Sequence, residues 1–278
     1  MPDFKVHRLL DTGTVTVKNV LCPGGCRHRS AEECVSGTHL VFPYRGIYTR
    51  HVGNDQSVAD ANHVLFFNAG ETYQVSHPVA GSDASLVLAI SPPLLREIAP
   101  AELFHKRDEP GFRMQSLRID ARAQALVALL RHSLQNGGIE PLEAESLALT
   151  LACRSLGPRT THATGATHAR RRLVDRVKVL LAGDLGRRWS LAGIAAEIGG
   201  SPVYLTQAFQ QVEGMPLHRY HLRLRLARAL DLVVDCEDMS ALALDLGFSS
   251  HSHFAAAFKQ VHGRTPSAFR QSALAKSA

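Results

Sequence analysis

From about Thr14 to Ser91 the apolar positions come in short runs rich in Val, Ile, Phe and Tyr. Thr14–Val20, His39–Val52, Val58–Phe67, Tyr73–Val75 and Ser85–Ile90 have strand composition. Turn sequences separate them: Pro23-Gly24-Gly25, Gly53-Asn54-Asp55, Asn68-Ala69-Gly70 and Ala80-Gly81-Ser82. Short strands at this spacing predict a small barrel or sandwich. Pro92-Pro93 closes the last strand and opens a short helix. The period then changes. Arg122–Gln135 carries Ala125, Leu126, Leu129 and Leu130 at helical spacing, and Pro141–Leu156 carries Leu142, Ser146, Leu149 and Cys153. Asn136-Gly137-Gly138 between them predicts an antiparallel helical hairpin, used to pack on the strands or to pair two copies of the chain.

Gly157 to Thr167 is rich in Thr, Gly and Ala and has no periodicity, which predicts a linker. Everything beyond it has helical pattern: Arg170–Ala182, Ser190–Ile198, Pro202–Val212, Pro216–Val234, Ser240–Leu246, His251–Val261 and Pro266–Leu274. The expected division is residues 1–157, a linker at 158–169, and residues 170–278.

The helical part repeats itself. Leu205, Phe209, Val212, Gly214 and Tyr220 recur 49 residues later as Phe254, Phe258, Val261, Gly263 and Phe269, and Ser201 recurs as Ser250. Ala195 and Gly199 recur at an offset of 48 as Ala243 and Gly247, so the second turn is one residue longer. Each copy has the parts of a helix-turn-helix. A small residue lets two helices cross closely, and a glycine makes the turn. A serine caps the second helix. An apolar stripe seats that helix and leaves its other face open. Gly214 and Gly263 have the place of left-handed C-terminal caps. Pro216 to Val234 is a connecting helix of about 19 residues, or roughly 28 Å. That is close to the ~34 Å turn of B-DNA. Its His218, Arg219, Arg223, Arg225 and Arg228 are expected to meet phosphates or pair with acids. An α-helical repeat that binds protein is the other reading of the duplication.

Charge sharpens the picture. The chain has 278 residues and a net charge of +6. Up to Gly165 there are 16 basic and 16 acidic residues; from Ala166 onward there are 15 and 9. The excess sits in the repeated part, as a polyanion-binding half requires, although a solvated basic surface has the same composition. No apolar run reaches the ~20 residues of a membrane span, and the first residues lack the order of a secretory signal, so a cytoplasmic address is expected. Five cysteines in a reducing compartment argue against a disulfide framework.

Ser201-Pro202-Val203-Tyr204-Leu205-Thr206-Gln207-Ala208-Phe209, then Gly214 and Leu222-Arg223-Leu224-Arg225-Leu226-Ala227-Arg228-Ala229, resembles the first unit of AraC/XylS-type regulators. Asp245-Leu246-Gly247-Phe248-Ser249-Ser250-His251-Ser252-His253-Phe254, with Phe258-Lys259 and Gly263-Arg264-Thr265-Pro266, resembles the second. The resemblance runs from about Arg170 to Ser272. The N-terminal part is similar, more loosely, to the cupin-like sensory barrel of such proteins. The implied fold is two-domain α+β. A cupin-like β-barrel with a helical hairpin precedes an all-α domain of two helix-turn-helix units joined by a long helix. The implied function is transcription regulation, activation included, by a non-enzymatic protein. Its implied partners are promoter DNA, RNA polymerase, a small-molecule or metal effector and a second copy of the chain. On this resemblance the reading face of unit one is Val203, Thr206, Gln207 and Gln210, with Arg223 on the connecting helix. Gln bonds adenine bidentately, and Val or Thr meets the thymine methyl. In unit two the face is His251, Ser252, His253, Ala255 and Ala256, with Lys259 on phosphate. Ala256 stands where the family often has a long polar side chain, so unit two is expected to read few bases.

Other chemistry is sparse. Cys22, Cys26, His28 and Cys34 have residue types that suit zinc or copper(I), with Cys26 and His28 as the candidate pair, or else they are free thiols and a surface histidine, or a redox sensor. The His-x-His pair of metal-dependent cupin enzymes is missing between Thr14 and Ser91. Alternation from Val64 to Tyr73 makes Phe66, Tyr73 and Val75 candidate pocket residues, with His77 beside them; plain core is the alternative. There is no phosphate-binding glycine loop and no nucleophile elbow. Trp189 before Ser190 has the place of a hydrophobic staple. An enzyme, cysteine- or metal-based, fused to a DNA-binding module is the alternative function.

Overall fold

The computed structural model describes residues 4–24, 28–105, 111–157 and 167–275. In chain order the strands are β1 (Lys5–Asp11), β2 (Val15–Cys22), β3 (Glu33–Cys34), β4 (His39–Arg45), β5 (Tyr48–Val52), β6 (Asp55–Ala59), β7 (His63–Phe67), β8 (Thr72–Ser76) and β9 (Asp83–Ile90). After helix α1 (Pro92–Ile98) come β10 (Ser116–Arg118), α2 (Ala121–Gln135) and α3 (Pro141–Leu156). The rest is helical: α4 (His168–Gly183), α5 (Leu191–Ile198), α6 (Pro202–Glu213), α7 (Leu217–Leu232), α8 (Met239–Asp245), α9 (His251–His262) and α10 (Pro266–Leu274).

The strands make two sheets rather than a closed barrel, ordered β1-β2-β9-β4-β7-β10 and β3-β8-β5-β6. The run His39–Val52 is two strands, not one. Gly46, at φ 70°, turns between them, and a Cβ there would lie 2.8 Å from that of Asp83. The middle of the six-stranded sheet is covered on both faces. Leu40, Phe42, Val64, Phe66, Leu86 and Leu88 share a core with α2 and α3. Val41, Leu65 and Phe67 face the other way, onto Tyr48, Ala59 and Val75 of the smaller sheet. Burial on both faces explains why β7 has no alternation to read.

Two smaller cores organise the helical part. Val174, Val177 and Leu181 of α4 pack with α5, with Leu205 and Phe209 of α6, and with Tyr220 and Leu224 of α7. Leu226, Leu230 and Val233 at the other end of α7 pack with Leu242, Phe254, Phe258 and Phe269, and with Ala128 of α2. The connecting helix therefore serves both units and α2 and is buried nearly all round. Its 16 residues span ~24 Å. The expected caps form. Ser201 and Ser250 each accept a backbone N–H, from Tyr204 and His253, at 3.1 Å. Gly214 and Gly263 are left-handed at φ 63° and 78°. Gly247 has two reasons to be glycine: φ is 76°, and a Cβ would lie 2.2 Å from the Gly186 carbonyl oxygen.

Candidate nucleic-acid interface

In unit one, Leu205, Ala208 and Phe209 turn into the core of α6's own unit, which leaves Val203, Thr206, Gln207 and Gln210 exposed along one face. Val203 is 66% exposed, so its methyls are open to a partner on this face. Thr206 donates its hydroxyl hydrogen to the Pro202 carbonyl at 2.9 Å, so its methyl and the lone pairs of its oxygen are what it offers outward. In unit two, Phe254, Ala257 and Phe258 point inward; His251, Ser252, His253, Ala256 and Lys259 are exposed, and Ala255 is half-buried. His253 is partly committed to its own unit. Its Nδ1 lies 3.0 Å from the Ser249 hydroxyl and its ring meets the edge of Phe248.

The arginines of α7 are arranged otherwise than the sequence suggests. Arg223 is not on the open face. It is buried, donates to the Ile119 carbonyl at 2.5 Å, and is pushed down to about 10 by burial and by neighbouring Arg118. Arg225 lies over the Phe248 ring and bonds the Leu246 carbonyl. Arg228 pairs with Asp231. His218 and Arg219 stay exposed.

Arg223 and Arg228 lie at a seam between the helical part and the rest of the chain, whereas Arg225 stays within the helical part. Lys178 on α4 sits 2.5 Å from Glu213 on α6, and Glu213 lies 3.3 Å from His63 Nε2 on β7. His63 Nδ1 is 2.8 Å from Asp60, which also accepts the Tyr220 hydroxyl of α7. All five are buried. Burial opposes the charge on each. Lys178 and His63 nonetheless hold Glu213 well below the usual carboxylate range. Burial and Lys178 would lower His63, but Asp60 and Glu213 outweigh them and raise it. Further along α7, Asp231 accepts from Arg45 of β4 and Arg131 of α2, each at 2.9 Å, and from Arg228. Sequence reasoning missed this seam because its paired members are up to 186 residues apart and follow no motif.

The pocket expectation needs one correction. Phe66 faces the helical layer, stacked on Phe112 with ring centroids 4.0 Å apart. Its neighbour Phe67 faces between the sheets instead, as one step along a strand requires. Tyr73 and His77 do line an inter-sheet cavity of about 150 Å³, with Val75. Of the expected metal pair, Cys26 lies outside the described residues and His28 is exposed. Cys22 is buried and Cys34 exposed. Among the described residues no helix is long and apolar enough to cross a membrane.

Paired turns, capped second helices and outward polar faces define a DNA-binding protein with two helix-turn-helix units. A family described as a helix-turn-helix domain matches residues 194–272. The HTH-type transcriptional activator AarP of Providencia stuartii is 33% identical over 101 residues, 36% of this chain and 75% of its own. The HTH-type transcriptional activator RhaR of Klebsiella pneumoniae is 30% identical over 177 residues, 61% of this chain and 60% of its own. The chain thus spans less than two thirds of RhaR. Among solved structures, ToxT from Vibrio cholerae aligns over 97% of each chain at 14% identity, with a TM-score of 0.35. The chain belongs to the AraC/XylS-type transcription regulators.

Proposed function

We propose that the chain is a sequence-specific transcription regulator without enzymatic activity, in which the strand-rich part (residues 1–157) senses a small molecule or metal and residues 170–278 bind promoter DNA. The observation that carries this reading is the exposed face Val203, Thr206, Gln207 and Gln210, held outward by a helix that buries Leu205, Ala208 and Phe209 on its other side. Gln207 is the base-reading residue of unit one, while His251 and Ser252 of unit two meet bases or phosphates and Lys259 meets phosphate. The partners are duplex DNA, RNA polymerase and a second copy of the chain, in the cytoplasm. The inter-sheet cavity with Tyr73 and His77 is the effector site of this reading. Selection of bound duplexes from a random pool tests it. One enriched motif, lost with Gln207→Ala, is expected; a pool that stays random after repeated rounds overturns it.

A further inference from the structure

We propose that Cys22, His77 and Asp83 form a binding site for a divalent transition metal of the zinc class, built across the junction of the two sheets.

Three chain segments meet there. Cys22 ends β2 and Asp83 begins β9, and the two are register partners, so their side chains share a face. His77 follows the last residue of β8, in the other sheet. Sγ, an imidazole nitrogen and a carboxylate oxygen all lie within 4.8 Å of one another, and all three residues are buried. The loops beside them are pressed together. Gly24 is at φ 73°, and a Cβ on it would lie 1.7 Å from the Gly81 oxygen, which fixes the spacing of Cys22 and Asp83.

The contact pattern suits a metal better than a catalytic relay. In a Cys–His–Asp relay the thiol and the carboxylate use different ring nitrogens. Here both converge on one: Cys22 Sγ is 3.5 Å and Asp83 Oδ2 2.7 Å from His77 Nε2. Nδ1 of the same ring is buried without a hydrogen-bond partner. Tetrahedral zinc, with bonds of ~2.3 Å to sulfur and ~2.1 Å to nitrogen and oxygen, places S and N about 3.6 Å apart and N and O about 3.4 Å apart. The Cys22–His77 separation is within about 0.1 Å of this value; the His77–Asp83 contact has to open by about 0.7 Å. Binding releases the Cys22 thiol proton to solvent. Thiolate, carboxylate and a 2+ ion then sum to zero charge, as a buried site requires. A mixed S, N and O set favours zinc over copper(I), which prefers softer donors. His77 and Asp83 also line the inter-sheet cavity together with Tyr48 and Ser85, where a water or small oxygen donor completes four-coordination. An ion there staples the sheets at the effector cavity. The site itself stands whether or not the helical part binds DNA.

The test uses the full chain, stripped of metal and titrated with Zn²⁺ and Co²⁺. One equivalent is expected, with a thiolate-to-cobalt charge-transfer band. X-ray absorption of the wild-type zinc form is expected to show one sulfur, the remaining neighbours being nitrogen or oxygen. Cys22→Ser is expected to abolish the band and Asp83→Asn to weaken uptake at least about 10-fold, while Cys34→Ser leaves both unchanged. No uptake overturns the proposal. So do two or more sulfurs per zinc, or a band that survives Cys22→Ser, since either brings in a cysteine other than Cys22. The absorption measurement needs no variant to fold.

Discussion

The two helix-turn-helix units share one design and are seated differently. Unit one rests on the strands through charge: Glu213 and Tyr220 meet His63 and Asp60, with Lys178 behind them. Unit two rests on α2 mainly through apolar contact, with Ala125, Ala128 and Leu129 against the core of Phe254 and Phe258. Contacts from His262 Nδ1 to the Ala121 carbonyl and from His132 Nε2 to the Leu230 carbonyl, each at 3.2 Å, and the Arg131–Asp231 pair accompany it. An apolar seam tolerates small changes and loses stability gradually. A buried charged seam holds only while every member has its partner. The difference makes the seat of unit one on the strands more sensitive than the seat of Phe254 and Phe258 on α2, and it lies beside the unit with the richer reading face.

The largest effect is expected from breaking the charged seam. Lys178→Ala leaves Glu213 buried near Asp60 and Asp175 with its main partner gone, at a cost of about 3–5 kcal/mol. Urea unfolding reads this directly. The double variant Lys178→Met with Glu213→Leu removes both charges and is expected to recover most of the loss. If the single variant costs less than about 1 kcal/mol, the seam is not organised by charge.

Proton binding separates the two ends next. His132, which contacts the Leu230 carbonyl, and His262 are both lowered to about 4 by burial. Both are neutral when packed, and the unpacked chain takes up the proton first. Their packing is intact above pH ~6.5 and is lost as pH falls toward 4, by at most ~3 kcal/mol each. His63 has the opposite sign. Raised by Asp60 and Glu213 against burial, it stabilises below pH ~6.5 and ceases to as pH rises through its folded value. Acid is thus expected to loosen α2 from unit two, and alkali to loosen β7 from unit one. Hydrogen exchange at pH 5 and pH 8.5 checks this; both ends opening together at one extreme would refute the separation.

Much of the helical part is legible in the sequence because its signals are local. Ser201, Ser250, Gly214 and Gly263 act within one turn of their own positions, so residue type and spacing suffice. Two failures share another cause. Phe66 and Phe67 are both buried, on opposite faces, so composition does not reveal parity. Arg223 has the composition of a solvated helix face, yet its partner is a carbonyl 104 residues earlier. β1 was missed as well: Lys5–Asp11 is largely exposed and charged, and only its pairing with β2 makes it a strand. The inter-sheet triad is invisible for the reason that hides the seam, since Cys22 and His77 are 55 residues apart and no motif joins them.

The reading faces give a smaller contrast. Gln207→Ala is expected to cost about 1–3 kcal/mol of specific binding and to relax preference at one base position. Ala256→Ser in unit two, which removes nothing that reads a base, is expected to change affinity by less than about 0.5 kcal/mol. Competition titrations against single-base variants of the selected site measure both. Equal losses in the two units would mean that they read alike, and the inequality drawn from Ala256 would fall.

The smallest effect concerns how unit two grips without reading. Lys259 is exposed on α9, one turn before the left-handed cap at Gly263, and a cation there suits both the helix C-terminus and a passing phosphate. A phosphate contact carries no sequence information, so Lys259→Ala should weaken binding to the selected site and to random duplex by the same factor. It should also lower the slope of log affinity against log salt by about 1, because one fewer counterion is released. The two readouts are independent. A uniform loss with an unchanged slope would trace the effect to helix stability rather than phosphate. A loss confined to the selected site would make Lys259 a base contact and give unit two a reading role after all.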